Sequence, residues 1–114
     1  VAYARAKRGL MIVTESWADA WKEDGFVVNA MHPGWADTPG VQNSLPTFRK
    51  ITKQFLRTPE QGADTIVWLA AASEAGRISG KLFLDREPRT TYLIKSTVET
   101  KKERLRLLDF LDEF

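Results

Sequence analysis

The sequence predicts an α/β fold in which helices alternate with short parallel strands. Three observations carry that expectation. A long helical pattern opens the chain, and a short apolar run (residues 26–31, FVVNAM) follows it and stops at Pro33-Gly34. A strong helix start at Thr58-Pro59-Glu60-Gln61 leads, some twenty residues on, into a second short strand pattern at residues 81–84. Strands separated by helices pair in parallel, because a parallel pair needs a crossover connection that a helix supplies.

The first helix is predicted over residues 2–24. Ala6, Leu10, Val13, Trp17 and Trp21 recur at helical spacing and define its expected core face, while Arg8, Glu15, Asp19 and Lys22 fall on the other side. The middle, residues 10–13 (LMIV), is apolar nearly all round, which predicts cover on two sides. Asp24-Gly25 ends the helix, glycine being the residue that turns a helix C-terminus at least cost. The FVVNAM run has no alternating polar face, as in a strand buried on both sides. Proline cannot donate to a strand ladder, so Pro33 closes it.

Residues 33–46 hold three prolines and read as a loop. Leu45, Phe48, Ile51 and Phe55 then suggest a short helix with Arg49, Lys50, Lys53 and Arg57 on its outer side. Thr58 is an expected N-cap, Pro59 suits the first helical position, and Gln61 completes a capping box. That helix is expected to bury Ala63, Ile66, Val67 and Ala70 and to run to about residue 73. Residues 76–80 (GRISG) read as a turn and residues 85–95 as irregular. Ser96 with Glu99 is the expected start of a last helix, which would pack Leu105, Leu108, Leu111 and Phe114. Four helices and two strands result. Two strands alone make a marginal sheet, so the sheet is expected to be incomplete.

Composition excludes several functions. The chain has 114 residues, enough for one domain. Its 17 Lys plus Arg against 15 Asp plus Glu leave +2, which argues against a nucleic-acid partner despite the local cluster at Arg49, Lys50, Lys53 and Arg57. With no cysteine and one histidine, disulfides, thiolate zinc sites and multi-histidine metal sites are ruled out, and no metal is expected. No apolar run is long enough for a membrane span, and no signal-peptide pattern is present. The cysteine-free composition is compatible with the cytoplasm, and the compartment stays unassigned.

Tyr3 and Lys7 lie four residues apart on the first helix and therefore share a face. A phenol ionises near ~10, and an ammonium one turn away favours its phenolate form. Such a pair can serve as general acid or base towards a carbonyl or hydroxyl. The pattern is short. A packed tyrosine beside a solvated lysine satisfies it equally. His32, the last residue before Pro-Gly, is expected to make a structural hydrogen bond rather than to act as a base.

Taken in order, Tyr3-x-x-x-Lys7 at the start of an apolar helix, a buried strand, Pro33-Gly34, and Thr38 a few residues on resemble the short-chain dehydrogenase/reductase family. The segments TPEQGADTIVWLA and SGKLF resemble the helix and last strand of that family, and the likeness extends from the start of the chain to about Pro88. The resemblance implies the C-terminal part of a Rossmann-type, doubly wound parallel sheet, with residues 1–114 a fragment of one domain whose N-terminal dinucleotide-binding half is absent. It implies a parent enzyme that moves a hydride between NAD or NADP and a carbonyl or alcohol. Tyr3 would handle the proton, and Lys7 would favour its ionised form and hold the nicotinamide ribose. Pro33, Gly34, Trp35 and Ala36 would lie against the nicotinamide, with Thr38 on the carboxamide or pyrophosphate side.

The departures are equally definite. The family's Gly-rich pyrophosphate turn follows a first strand, whereas the GRISG turn precedes one. The family's serine and asparagine lie upstream of the tyrosine, and only two residues precede Tyr3. The 114 residues are therefore expected to be inactive alone and not to form a stable, cofactor-binding monomer. Phe48, Ile51 and Phe55 suit an apolar substrate as well as a core. An alternative is a non-catalytic interaction module derived from the family. The apolar face of the first helix, with Trp17 and Trp21, would then meet a partner, or a second copy of the chain.

Overall fold

The computed structural model describes residues 2–37, 56–92, 94 and 97–113. In chain order these form helix α1 (Ala2–Ala20), strand β1 (Ala30–Met31), helix α2 (Pro59–Ala71), a 3-10 turn (Ala75–Arg77), strands β2 (Leu82–Leu84) and β3 (Glu87–Arg89), and helix α3 (Lys101–Asp112). The fold is α/β. β1 pairs in parallel with β2, Ala30 opposite Leu82 and Met31 opposite Phe83, as the alternation of elements predicted. The helix expected near residues 45–57 falls outside the described residues, save for its last two positions.

Regular helix ends at Ala20, and the chain closes through the turn that Asp24-Gly25 announced. Gly25 takes φ +78°, its N–H donates to the Lys22 carbonyl at 3.1 Å, and the Phe26 N–H donates to the Trp21 carbonyl at 3.2 Å. These two bonds are a Schellman cap. Its usual apolar contact is present as an edge-on approach of the Trp21 and Phe26 rings, 6.2 Å between centroids.

The expected strand 26–31 is regular only over its last two residues; before them one backbone bond remains, from the Gly80 N–H to the Val28 carbonyl at 2.7 Å, and side chains supply the others. The Val28 N–H donates to Ser79 Oγ at 3.0 Å, and Asn29 Nδ2 donates to the Ile78 carbonyl at 2.6 Å. Asn29 Oδ1 accepts from the Lys81 N–H at 3.0 Å. The segment stays tied to its neighbour without a regular register.

Residues 85–95 were expected to be irregular, and this is corrected. β2 turns tightly into β3, which pairs antiparallel to it, so the sheet is mixed, in the order β1-β2-β3. Asp85 and Arg86 both adopt left-handed conformations, φ 57° and 62°, as a two-residue type I′ hairpin requires. Neither asparagine nor glycine marks this turn, and Pro88 inside β3 hides the strand. Proline is tolerated there because β3 ends the sheet.

Helix faces also differ from expectation. α1 buries Met11, Ile12, Thr14 and Ala18, whereas Ala6, Leu10, Trp17 and Trp21 are exposed and the two tryptophans stack on each other at 5.1 Å. α2 buries Gly62 and Thr65, whereas Ala63, Ile66, Val67 and Ala70 are exposed. The cause lies in what each helix meets. Gly62 lets Ala36 approach so closely that a methyl group there would sit 3.1 Å from the Ala36 Cβ. Thr65 Oγ1 accepts the Arg86 N–H at 3.2 Å. Small and polar side chains face the loop and hairpin, and the larger apolar ones face outward. The outward faces flank a cleft of about 720 Å³ lined by Leu10, Thr14, Val27, Ala30, Ile66 and Leu69. Phe83 of β2 is wholly buried, with the Trp68 ring of α2 5.8 Å away.

α3 starts at Thr100, not Ser96, through a full capping box with Glu103. Its Leu107 and Leu108 are half-buried while Leu105 and Leu111 are exposed. Ser96 and Phe114 lie outside the described residues. No helix among the described residues is long and apolar enough to cross a membrane.

Candidate functional site

Helical spacing places Tyr3 and Lys7 side by side on the first turns of α1. The Lys7 ammonium sits 5.4 Å from the Tyr3 ring centroid, and the tyrosine is 75% exposed. Lys7 also lines a pocket of about 400 Å³ together with Ala4, Met11, Ala30, Met31 and Leu82. The opening turns of α1 therefore lie beside β1, whose last residue is Met31.

A loop at residues 33–36 leaves that same strand end. The His32 N–H makes a ladder bond to the Phe83 carbonyl at 2.8 Å. The His32 ring then turns back on the loop, and Nδ1 accepts the Gly34 N–H at 2.9 Å. This is the structural hydrogen bond expected of His32. Gly34 has φ +74°, which glycine adopts without the steric cost other residues meet. Trp35 is exposed and Ala36 is buried against α2. Thr38 lies outside the described residues, as do Phe48, Ile51 and Phe55.

One residue that sequence reasoning misplaced organises this loop. Arg57 was expected on the outer, basic side of a short helix. Its N–H donates to the Trp35 carbonyl and its carbonyl accepts the Asp37 N–H, both at 2.8 Å. Its guanidinium forks onto Asp85, Nη1 to Oδ1 at 2.6 Å and Nη2 to Oδ2 at 2.9 Å. Those hydrogen bonds hold the Asp85 carboxyl below the usual aspartate range and raise the Arg57 guanidinium above its usual value. The partners are 28 residues apart, so no local pattern could have paired them.

The GRISG segment supports a strand entry. Ala75–Arg77 form the 3-10 turn, and Gly80, at φ +72°, lies against Ala18 of α1.

Over 99% of its length the chain is 40% identical to the human protein "Dehydrogenase/reductase SDR family member 12" and 42% identical to the protein of that name from Bos taurus. The chain belongs to the short-chain dehydrogenase/reductase family. It spans 36% of the length of those two relatives. Another short-chain relative, an "Uncharacterized NAD-dependent oxidoreductase" of Mycobacterium tuberculosis, is 32% identical over 68% of the chain, which spans 33% of it. No family model and no solved structure matches the chain. The names of these relatives describe dehydrogenases and oxidoreductases, and the mycobacterial one is named as NAD-dependent.

Proposed function

We propose that residues 1–114 form the C-terminal part of a Rossmann-type oxidoreductase domain. The whole protein would move a hydride between NAD or NADP and a carbonyl or alcohol. The observation that carries this is the Tyr3–Lys7 pair on one face of α1, beside the end of a strand with a parallel partner. Open α/β sheets bind ligands at the carboxyl ends of their strands.

The donors present fit the nicotinamide end of such a cofactor. An ammonium offers three N–H donors to ribose hydroxyls, and a phenol can both donate and accept. Lys7 and Tyr3 are both exposed, so neither needs to break a core contact to reach a ligand. Bound there, the cofactor supplies the hydride chemistry. Tyr3 Oη gives a proton to the carbonyl oxygen, or takes one from an alcohol. Lys7 orients the ribose through its N–H donors. Pro33, Gly34 and Trp35 would face the nicotinamide, with Ala36 packed behind them against Gly62 of α2, and Thr38 is proposed for the carboxamide or pyrophosphate side. A small substrate with an apolar body suits Phe48, Ile51 and Phe55.

The sequence of residues 1–114 holds no G-x-G-x-x-G pattern. In this proposal the pyrophosphate contacts come from the N-terminal half of the domain, and the segment is inactive alone.

The test is Tyr3→Phe in the full-length protein. Turnover is expected to fall about 10²–10⁴-fold, the contribution of a positioned acid or base. Cofactor affinity should stay within about twofold, because only a hydroxyl is lost. Normal turnover would remove the assignment.

A further inference from the structure

Two bidentate ion pairs grip the β2–β3 hairpin, and they lead to different places. Arg86 forks onto Asp64 of α2, at 2.8 and 2.5 Å, and its N–H bonds Thr65 of the same helix. That pair ties the hairpin to α2. Asp85, next to it, binds Arg57 instead, outside any helix or strand. Arg57 carries the link to the loop at residues 33–36. Its backbone bonds Trp35 and Asp37, Nη1 reaches the Pro33 carbonyl at 3.4 Å, and its guanidinium packs against Gly34. A methyl group on Gly34 would lie 2.8 Å from the guanidinium carbon.

We infer that Arg57 and Asp85 are positioning residues, an ion pair that fixes loop 33–36 from the hairpin side and so sets the shape of the nicotinamide-facing wall. The inference rests on the function proposed above for that loop. Its geometry is independent of that function. Asp85 meets two demands at once, because its left-handed backbone makes the turn and its carboxylate receives both arms of the fork. Planar two-point binding fixes direction as well as distance, and lysine would supply only a point charge. The hairpin keeps its attachment to α2 when this pair is removed, so loosening should be confined to the loop.

Three variants of the full-length protein test this, each followed by amide hydrogen exchange and by NADH and NADPH binding. Asp85→Asn keeps a residue suited to the left-handed conformation and removes the charge. It should speed exchange at the Gly34 and Asp37 amides about two- to fivefold, the range an exposed pair supports. It should weaken binding of the preferred cofactor by a similar factor, with kcat at saturating cofactor nearly unchanged. Arg57→Lys should give the same pattern, because it keeps the charge and loses the fork. Asp64→Asn breaks the neighbouring pair and should leave the loop amides and cofactor affinity as they are. Salt at 1 M should speed loop exchange in the wild type and not in Asp85→Asn. Equal effects of Asp85→Asn and Asp64→Asn, or unchanged loop exchange in Asp85→Asn, would overturn the inference. If the wild type binds neither cofactor, the proposed function fails, and the exchange comparison still decides whether the pair positions the loop.

Discussion

Arg8 of α1 grips Glu99, just ahead of α3, through two hydrogen bonds, Nε to Oε2 at 2.9 Å and Nη2 to Oε1 at 2.6 Å. The Glu99 side chain is only 11% exposed and accepts a third bond, at 2.8 Å, from the Tyr92 hydroxyl. The Arg8 guanidinium also lies over the Tyr92 ring, 4.1 Å from its centroid. Arg104 of α3 lies 3.6 Å from the same carboxylate and binds Glu15 of α1. The charged side of α1 is therefore its docking face for the C-terminal segment.

From this follows a stability prediction. Glu99→Gln keeps the shape and removes the charge that two arginines share. It should cost about 1.5–3 kcal/mol, the range for hydrogen bonds to charged groups. A urea melt of the full-length protein measures the loss, and amide exchange should show α3 loosening first. An unchanged melt would mean the cluster adds nothing net.

Lys7→Ala should separate binding from folding. The side chain is exposed and meets the Tyr3 ring, so stability should change by less than about 0.5 kcal/mol. Cofactor affinity and turnover should both fall, since the ribose contact and the charge beside Tyr3 are lost together. Turnover lost with affinity intact would confine Lys7 to the proton step.

Gly34→Ala tests the loop backbone against a matched control. Both Gly34 and Gly25 have positive φ, but a methyl group on Gly25 meets open space while one on Gly34 meets the Arg57 guanidinium. Gly25→Ala should cost only the left-handed penalty, about 1–2 kcal/mol. Gly34→Ala should cost more and should release Arg57 from Asp85, visible as faster exchange at the Asp37 amide. Equal costs at the two sites would show that the guanidinium moves aside freely.

Acid should loosen the hairpin. Hydrogen bonds from Arg86 and Arg57 hold the Asp64 and Asp85 carboxyls below their ordinary range. A carboxyl lowered in the folded state stabilises fully above its unfolded pKa, near ~3.9, and that contribution disappears as pH falls towards the folded value. Hairpin exchange, corrected for intrinsic rates, should be flat above about pH 5 and rise below about pH 4. In Asp64→Asn with Asp85→Asn the rise should vanish. Carboxyl titration by NMR checks the direction, and midpoints at ordinary aspartate values would refute it.

Local chemistry was legible where its partners are close in sequence. Thr58 and Gln61 cap α2 as their spacing announced, Gly25 closes α1, His32 turns back on Gly34, and the alternation of helix and strand foretold the parallel pairing of β1 with β2. Each hydrogen bond in those caps and turns spans only a few residues, so the order of residue types suffices to specify it. The pairing of Tyr3 with Lys7 belongs to the same class, because the helical repeat alone brings them together.

What the residue order left open was direction. α1 carries apolar residues on more than one side, so periodicity marks it as a helix without choosing between Leu10 and Trp17 or Met11 and Ala18 as the inward face. Arg8 and Glu15 meet Glu99 and Arg104, about ninety residues away, while Ala18 lies against Gly80, and no local pattern reveals these partners. On α2 the small residue Gly62 and the polar Thr65 took the inward side because the loop and the hairpin come close there. The third strand was hidden by Pro88 and by a turn without glycine, and the Arg57–Asp85 fork exists only because β2 and β3 carry Asp85 to the loop. Burial and charge pairing depend on which segments arrive at one place, and that is a property of the whole fold.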